Sequence, residues 1–234
     1  MRTWACSMPW GSPTSSRTLA DRRSTGRSRF GRVWCCRSAE AGNRGSTRTS
    51  PPNRHDGDRQ SMVNPTRRPH PDEYADLYAS YVGAVEEPLL KRLESEAAEW
   101  RDLLAAVPPE REGYRYAPGK WSIREVVGHV IDAERMFSVR AMAFARGDAS
   151  HYPSFDENAY AAESGAGQRT LADLSEELSA VRTATLLLLR SFPEDAWSRR
   201  GVASGYEFTV RSLAWIIAGH SRHHQQVLME RYLA

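Results

Sequence analysis

Seven residues late in the chain, Ala218-Gly219-His220-Ser221-Arg222-His223-His224, include three histidines. Imidazole is a ligand for zinc, nickel, copper and iron. Residues four apart on a helix lie one above the other, so His220 and His224 share a face. With His220 set at 0°, helical periodicity puts Leu213 at about 20°, His224 at about 40°, Ile217 at about 60° and Val227 at about −20°. The two histidines therefore sit on the apolar stripe, and His223, at about −60°, sits at its edge. Burying an unpartnered imidazole is costly. Such a pair is either two thirds of a divalent-metal site or two core histidines held by hydrogen bonds. A third inward ligand decides between them, and His129 has the right setting. With His129 at 0°, Val126 falls at about 60°, Ala133 at about 40°, Met136 at about −20° and Phe137 at about 80°. Three protein ligands leave coordination positions open, as catalytic zinc sites do. Binding should then weaken below about pH 6.5, the ordinary imidazole value.

Other catalytic groups are sparse. The three cysteines, Cys6, Cys35 and Cys36, all lie in the first 36 residues, and Cys35-Cys36 is not zinc-ligand spacing. There is no G-x-S-x-G and no Gly-rich phosphate loop. Asp132, one turn beyond His129, and Asp156 and Glu157 are the acids placed to serve as a general base. Each also reads as a solvated helix or loop acid. Tyr160 is placed to orient a substrate, or simply to pack its loop.

Four amphipathic helices must carry these residues. The first opens at Glu86-Glu87-Pro88, with acids at the positive end and proline in the first turn, and stops at Pro108-Pro109. Its stripe is Leu89, Leu93, Ala97, Trp100 and Leu104. A short segment from Tyr74 to Val82 precedes it. The second helix starts at the capping box Ser122-x-x-Glu125 and runs to about Ala145, before Gly147. The third is capped by Thr170, carries Leu174, Leu178, Val181 and Leu189, and ends at Phe192-Pro193. The fourth starts at Thr209 and holds the histidine run. Residues 147–169 read as a long loop, Arg199 to Gly205 as a connector, and no stretch reads as a convincing strand. Such a pattern predicts an all-α four-helix bundle.

Residues 1–61 differ from the rest. They hold 12 Arg, no Lys and 4 acids, a net of +8, whereas residues 62–234 hold 20 Lys and Arg against 25 acids, a net of −5. The Arg, Ser, Gly and Pro composition predicts a disordered basic tail. Ordinary globular composition begins at Met62, the expected true start of translation, with one domain over 62–234. The acidic balance of that domain argues against nucleic-acid binding. Mean hydropathy is −0.61, and no apolar run has the length of a membrane span. A domain without cysteine and a start without a signal-peptide core fit the cytoplasm.

Trp121-Ser122-Ile123-Arg124-Glu125-Val126-Val127-Gly128-His129 resembles the W-S-x-x-E-x-x-x-H segment of the DinB superfamily. His220-Ser221-Arg222-His223-His224 resembles that family's H-x-x-H-H on the last helix. The likeness spans residues 72–234, including Tyr116-Ala117-Pro118-Gly119-Lys120 and Phe155-Asp156-Glu157-Asn158-Ala159-Tyr160. It implies a four-helix bundle in up-up-down-down order with one long crossover. It also implies a divalent metal, zinc or nickel, on His129, His220 and His224, with His223 beside the ligands rather than among them. A homodimer, a small-molecule substrate and a low-molecular-weight thiol cofactor are further implications. The metal-dependent activity expected is thiol-dependent transfer or hydrolysis. The alternative is a non-enzymatic, metal-stabilised bundle for interaction or sensing.

Overall fold

A computed structural model describes residues 65–86 and 88–234, so the expectations for residues 1–61 lie outside the described residues. The helices are α1 (Ala79–Ala84), α2 (Leu89–Ala105), α3 (Ile123–Ala145), α4 (Glu157–Glu163), α5 (Leu171–Arg190) and α6 (Val210–Val227). A π-helical turn, Leu228–Tyr232, extends α6. Helices α2, α3, α5 and α6 are the four predicted from apolar spacing. Pro88 caps α2 from outside rather than joining its first turn.

The predicted start signals act as caps. Ser122 Oγ accepts from Glu125 N, and Glu125 Oε2 accepts from Ser122 N at 2.6 Å. Thr170 Oγ1 accepts from Asp173 N at 3.2 Å, and Thr209 Oγ1 from Ser212 N at 3.0 Å. Each cap satisfies amide groups that the helix itself leaves open.

Helix α3 packs on α5 and α6, and α2 packs on the same two, which makes a four-membered ring. One buried cluster joins Leu104 at the end of α2, Ile123 and Val126 at the start of α3, Leu171 and Leu174 at the start of α5, and Leu228 just beyond α6. Those four helix ends therefore share one end of the bundle. The order is up-down-down-up, not the up-up-down-down that the resemblance implied. The single long crossover is present, and it joins α3 to α5.

Two local expectations are corrected. The connector after α5 holds a hairpin, β1 (Arg200–Ala203) with β2 (Tyr206–Thr209), in antiparallel register Ala203↔Tyr206 to Arg200↔Thr209. Its turn residues Ser204 and Gly205 have φ of 56° and 81°, as a two-residue type I′ connection requires. The long loop 147–169 contains α4, and Tyr152 pins the crossover to the hairpin by donating its N–H to Val202 O at 3.0 Å.

A buried ion network ties three helices together. Arg182 on α5 donates from Nε and Nη2 to Glu134 of α3 at 2.9 Å each, and from Nη1 to Glu96 of α2 at 3.0 Å. Glu96 also accepts from Arg92 Nε at 3.1 Å. Desolvation in this buried setting raises the Glu96 carboxyl above its ordinary value, and Arg182 pulls against that rise.

Candidate metal centre

Two glycines bring neighbouring backbone close to the histidine helices. A Cβ on Gly128 would lie 2.6 Å from Ala166 Cβ, so the crossover passes tightly against α3 beside His129. A Cβ on Gly219 would lie 2.2 Å from Tyr81 O, so α1 crosses in contact with α6 beside His220. Only a residue without a side chain allows either approach.

His129, His220 and His224 converge in the bundle interior, 7%, 3% and 3% exposed. His220 Nε2 lies 3.0 Å from His129 Nε2 and 3.1 Å from His224 Nε2. An imidazole nitrogen carries one proton or one lone pair. His220 Nε2 therefore forms one good hydrogen bond, not two. His224 Nδ1 is buried and has no hydrogen-bond partner. As neutral core histidines the three are incompletely satisfied, which is costly.

Burial holds all three imidazoles in the neutral, ligating form. It pushes the His129 value down to about 4, with the charge of His223 a lesser cause. Burial likewise holds His220 and His224 well below the ordinary value, with the neighbouring imidazoles adding to the effect. The donor set fits a divalent ion. Tetrahedral zinc with bonds of about 2.0–2.1 Å separates its ligand nitrogens by about 3.3–3.4 Å; the two separations from His220 are within a few tenths of that, and all three nitrogens lie within 4.8 Å of one another. Ligating histidines usually hand their second ring nitrogen to a partner; His224 lacks one here.

Aromatic rings wall the cluster. Trp121 lies over His129 with centroids 4.8 Å apart. Tyr81 meets His220 edge-on at 5.6 Å, and Phe137 meets it at 6.1 Å. His223 is half-buried, packed between Tyr81 at 5.4 Å and His224 at 5.1 Å.

The acids read as candidate bases have partners of their own. Asp132 is half-buried and pairs with Arg135 at 3.7 Å, and burial raises its carboxyl. Asp156 caps α4, accepting from Asn158 N at 2.9 Å and Ala159 N at 3.1 Å. Glu157 opens that helix. Tyr160 is exposed and leans on Phe155 at 5.1 Å. Among the described residues, no carboxylate joins the three imidazoles within ligand reach. Sequence reasoning assigned no role to Trp121 or Tyr81. The signal for Tyr81 was indirect: glycine beside His220 marks a close neighbour.

A four-membered helical ring with an inward triad of imidazoles defines the class of this molecule. The chain belongs to the DinB superfamily, whose model matches residues 92–228. Its fold is similar to YfiT from Bacillus subtilis, described as a probable metal-dependent hydrolase with an unusual four-helix bundle topology. That match has a TM-score of 0.57 and 17% identity, and covers 63% of this chain and 87% of YfiT. A mycothiol-dependent maleylpyruvate isomerase aligns with a TM-score of 0.49 and 18% identity over 63% of this chain and 62% of its own. No curated protein matches at a significant level.

Proposed function

We propose that His129, His220 and His224 bind one divalent ion, zinc or nickel, and that the chain is a metal-dependent hydrolase acting on a small molecule. The observation that carries this reading is His220 Nε2, which faces two other imidazole nitrogens at 3.0 and 3.1 Å and can satisfy only one of them. Such an ion, when bound, supplies Lewis acidity and acidifies a water or thiol beside it. The three histidines hold it through neutral nitrogens. Trp121 and Tyr81 pack against the His129 and His220 rings and would fix their orientation toward it. YfiT, similar in fold, is described as a probable metal-dependent hydrolase, which supports hydrolysis.

Thiol-dependent transfer is the second reading. The absence of a carboxylate beside the imidazoles, among the described residues, favours it. A thiol held as thiolate is already a nucleophile and asks for no protein base.

The test is metal content of untagged protein, wild type beside four single variants. Wild type is expected to take up one zinc or nickel per chain. His129→Ala, His220→Ala and His224→Ala should each lose it, and His223→Ala should keep it with affinity lowered at most about 10–100-fold. Wild type that stays metal-free in excess zinc and nickel refutes the reading. Ester hydrolysis and thiol conjugation, assayed on the loaded protein, separate the two activities; loaded protein with neither is a structural or sensing bundle.

A further inference from the structure

Among the described residues three arginines are buried: Arg140, Arg182 and Arg211. Two of them meet carboxylates. Arg182 donates to Glu134 and Glu96, and Arg211 donates from Nε to Glu73 Oε2 at 2.9 Å. Arg140 does not. With His129 at 0° it falls at about 20°, on the same inward stripe of α3, three turns further on. It is 2% exposed. Its one hydrogen bond among the described residues runs from Nη2 to Pro153 O at 2.7 Å, and its Nε is buried without a partner. The rings of Phe137 and Phe155 each lie 6.0 Å from its Cζ.

A guanidinium cannot shed its proton to escape burial. Its charge therefore has to be met, because a buried cation without a counter-charge is costly. Two aromatic rings attract a cation but do not neutralise it. A second donor stands in the same neighbourhood. Tyr78 is 1% exposed, packs on Phe137 at 6.3 Å, and its hydroxyl makes no hydrogen bond among the described residues. Burial pushes that hydroxyl up to about 12, and the Arg140 charge pulls the other way, so it stays a proton donor. Glu157 of α4 acts on Tyr78 through space but makes no ion pair with Arg140.

The cover over these donors is thin. Residues 153–156 form neither helix nor strand, Pro153 and Ser154 are exposed, and Phe155 is half-buried. Arg140 itself ties this stretch down, through Pro153 O. Loops with so few buried contacts open locally at low cost.

We propose that Arg140 and Tyr78 bind a small free monocarboxylate, of formate or acetate size, beneath residues 153–156, and that this stretch lifts to admit it. The ligand supplies what Glu134 and Glu73 supply to the other two buried arginines, and a charge-assisted bond to a carboxylate is the strong kind. The site is separate from the three imidazoles and stands without a metal.

The experiment uses the untagged full chain, metal-free, with formate, acetate and chloride titrated at constant ionic strength. Binding is read by NMR line broadening of each anion and by melting temperature. Formate or acetate is expected to bind saturably and raise the melting temperature, with chloride at least tenfold weaker. Arg140→Met should abolish that binding and melt no lower than anion-free wild type, because it replaces an unmatched buried charge with an apolar side chain of similar length. Tyr78→Phe should weaken binding while keeping the fold, checked by circular dichroism, and it serves alone should Arg140→Met fail to fold. Glu157→Gln should leave the anion-free melting temperature unchanged. The proposal is overturned if neither carboxylate binds wild type, if chloride binds as well as they do, or if binding survives Arg140→Met or is untouched by Tyr78→Phe. It also fails if Glu157→Gln melts several degrees lower, since Glu157 is then the missing carboxylate.

Discussion

At the scale of single residues, protonation of the imidazoles is the property most open to test. The folded chain holds His129 at about 4, whereas an unfolded histidine titrates at the ordinary 6.5. Between those values the unfolded state binds a proton that the folded state refuses, so metal-free stability falls as pH drops from 6.5 towards 4. The contribution from His129 alone is about 3 kcal/mol at about 1.4 kcal/mol per unit. His220 and His224 act in the same direction. Urea midpoints of the metal-free protein at pH 7 and pH 5 should show about 2 kcal/mol of that loss from His129, and it should vanish in the His129→Ala, His220→Ala, His224→Ala triple variant. The same shifts revise the expectation that metal is released below about pH 6.5. In the folded chain, protons compete seriously only near pH 4. The positions of the three histidines were legible because helical spacing alone puts them on apolar stripes. The depth of their burial, and with it this pH displacement, was not, because it comes from rings such as Trp121 and Tyr81 that arrive from other elements.

At the scale of elements, close packing and buried charge set the expectations. Arg182→Met leaves the Glu96 and Glu134 carboxylates buried without their shared partner. Loss of one member of a buried pair costs about 3–5 kcal/mol, and the denaturant midpoint should report it. Glycines give a paired test. Gly219→Ala puts a methyl 2.2 Å from Tyr81 O, so α1 must move, at about 1–3 kcal/mol. Gly83→Ala, at an exposed position of α1 with nothing within 4 Å of the new methyl, should instead stabilise by about 0.5–1 kcal/mol. Opposite signs in two melting curves are the expected outcome; equal shifts would contradict the close crossing of α1 on α6. Capped helices were readable from Ser122, Thr170 and Thr209, since capping is a local contract between neighbours in sequence. The hairpin escaped notice because two four-residue strands offer little periodicity. Ser204-Gly205 between Val202 and Phe208 was the available sign. Asp156 was read as a loop acid because α4 is only seven residues long and its apolar pattern is weak.

At the scale of the whole molecule, apolar spacing gave the bundle, the family resemblance gave its single crossover, and neither gave the right direction for each helix. Stripe angles show which face is buried and say nothing of which end meets which. That information sits in clusters such as Leu104, Ile123, Leu171 and Leu228, drawn from four separate helices. Among the described residues, no helix is long and apolar enough to cross a membrane. Residues 1–61 carry a net of +8 against −5 for the remainder. A chain starting at Met62 is expected to match the full chain in helicity and melting temperature, and a drop of several degrees would tie the basic segment to the fold.

His129 and His220 are 91 residues apart in sequence and touch. An ion bound between them is therefore also a clasp on a very long loop. By the chain-entropy account used for cross-links, closing a loop of that length restrains the unfolded chain by on the order of 4–5 kcal/mol. It has a bearing on synthesis too. His129 leaves the ribosome long before His220, and at about 5–20 residues per second the interval is several seconds to nearly twenty. Throughout that interval α3 displays a lone imidazole and an unfilled apolar stripe. Such a clasp would close only after α6 docks, so capture of the proposed ion is expected to follow folding rather than begin it.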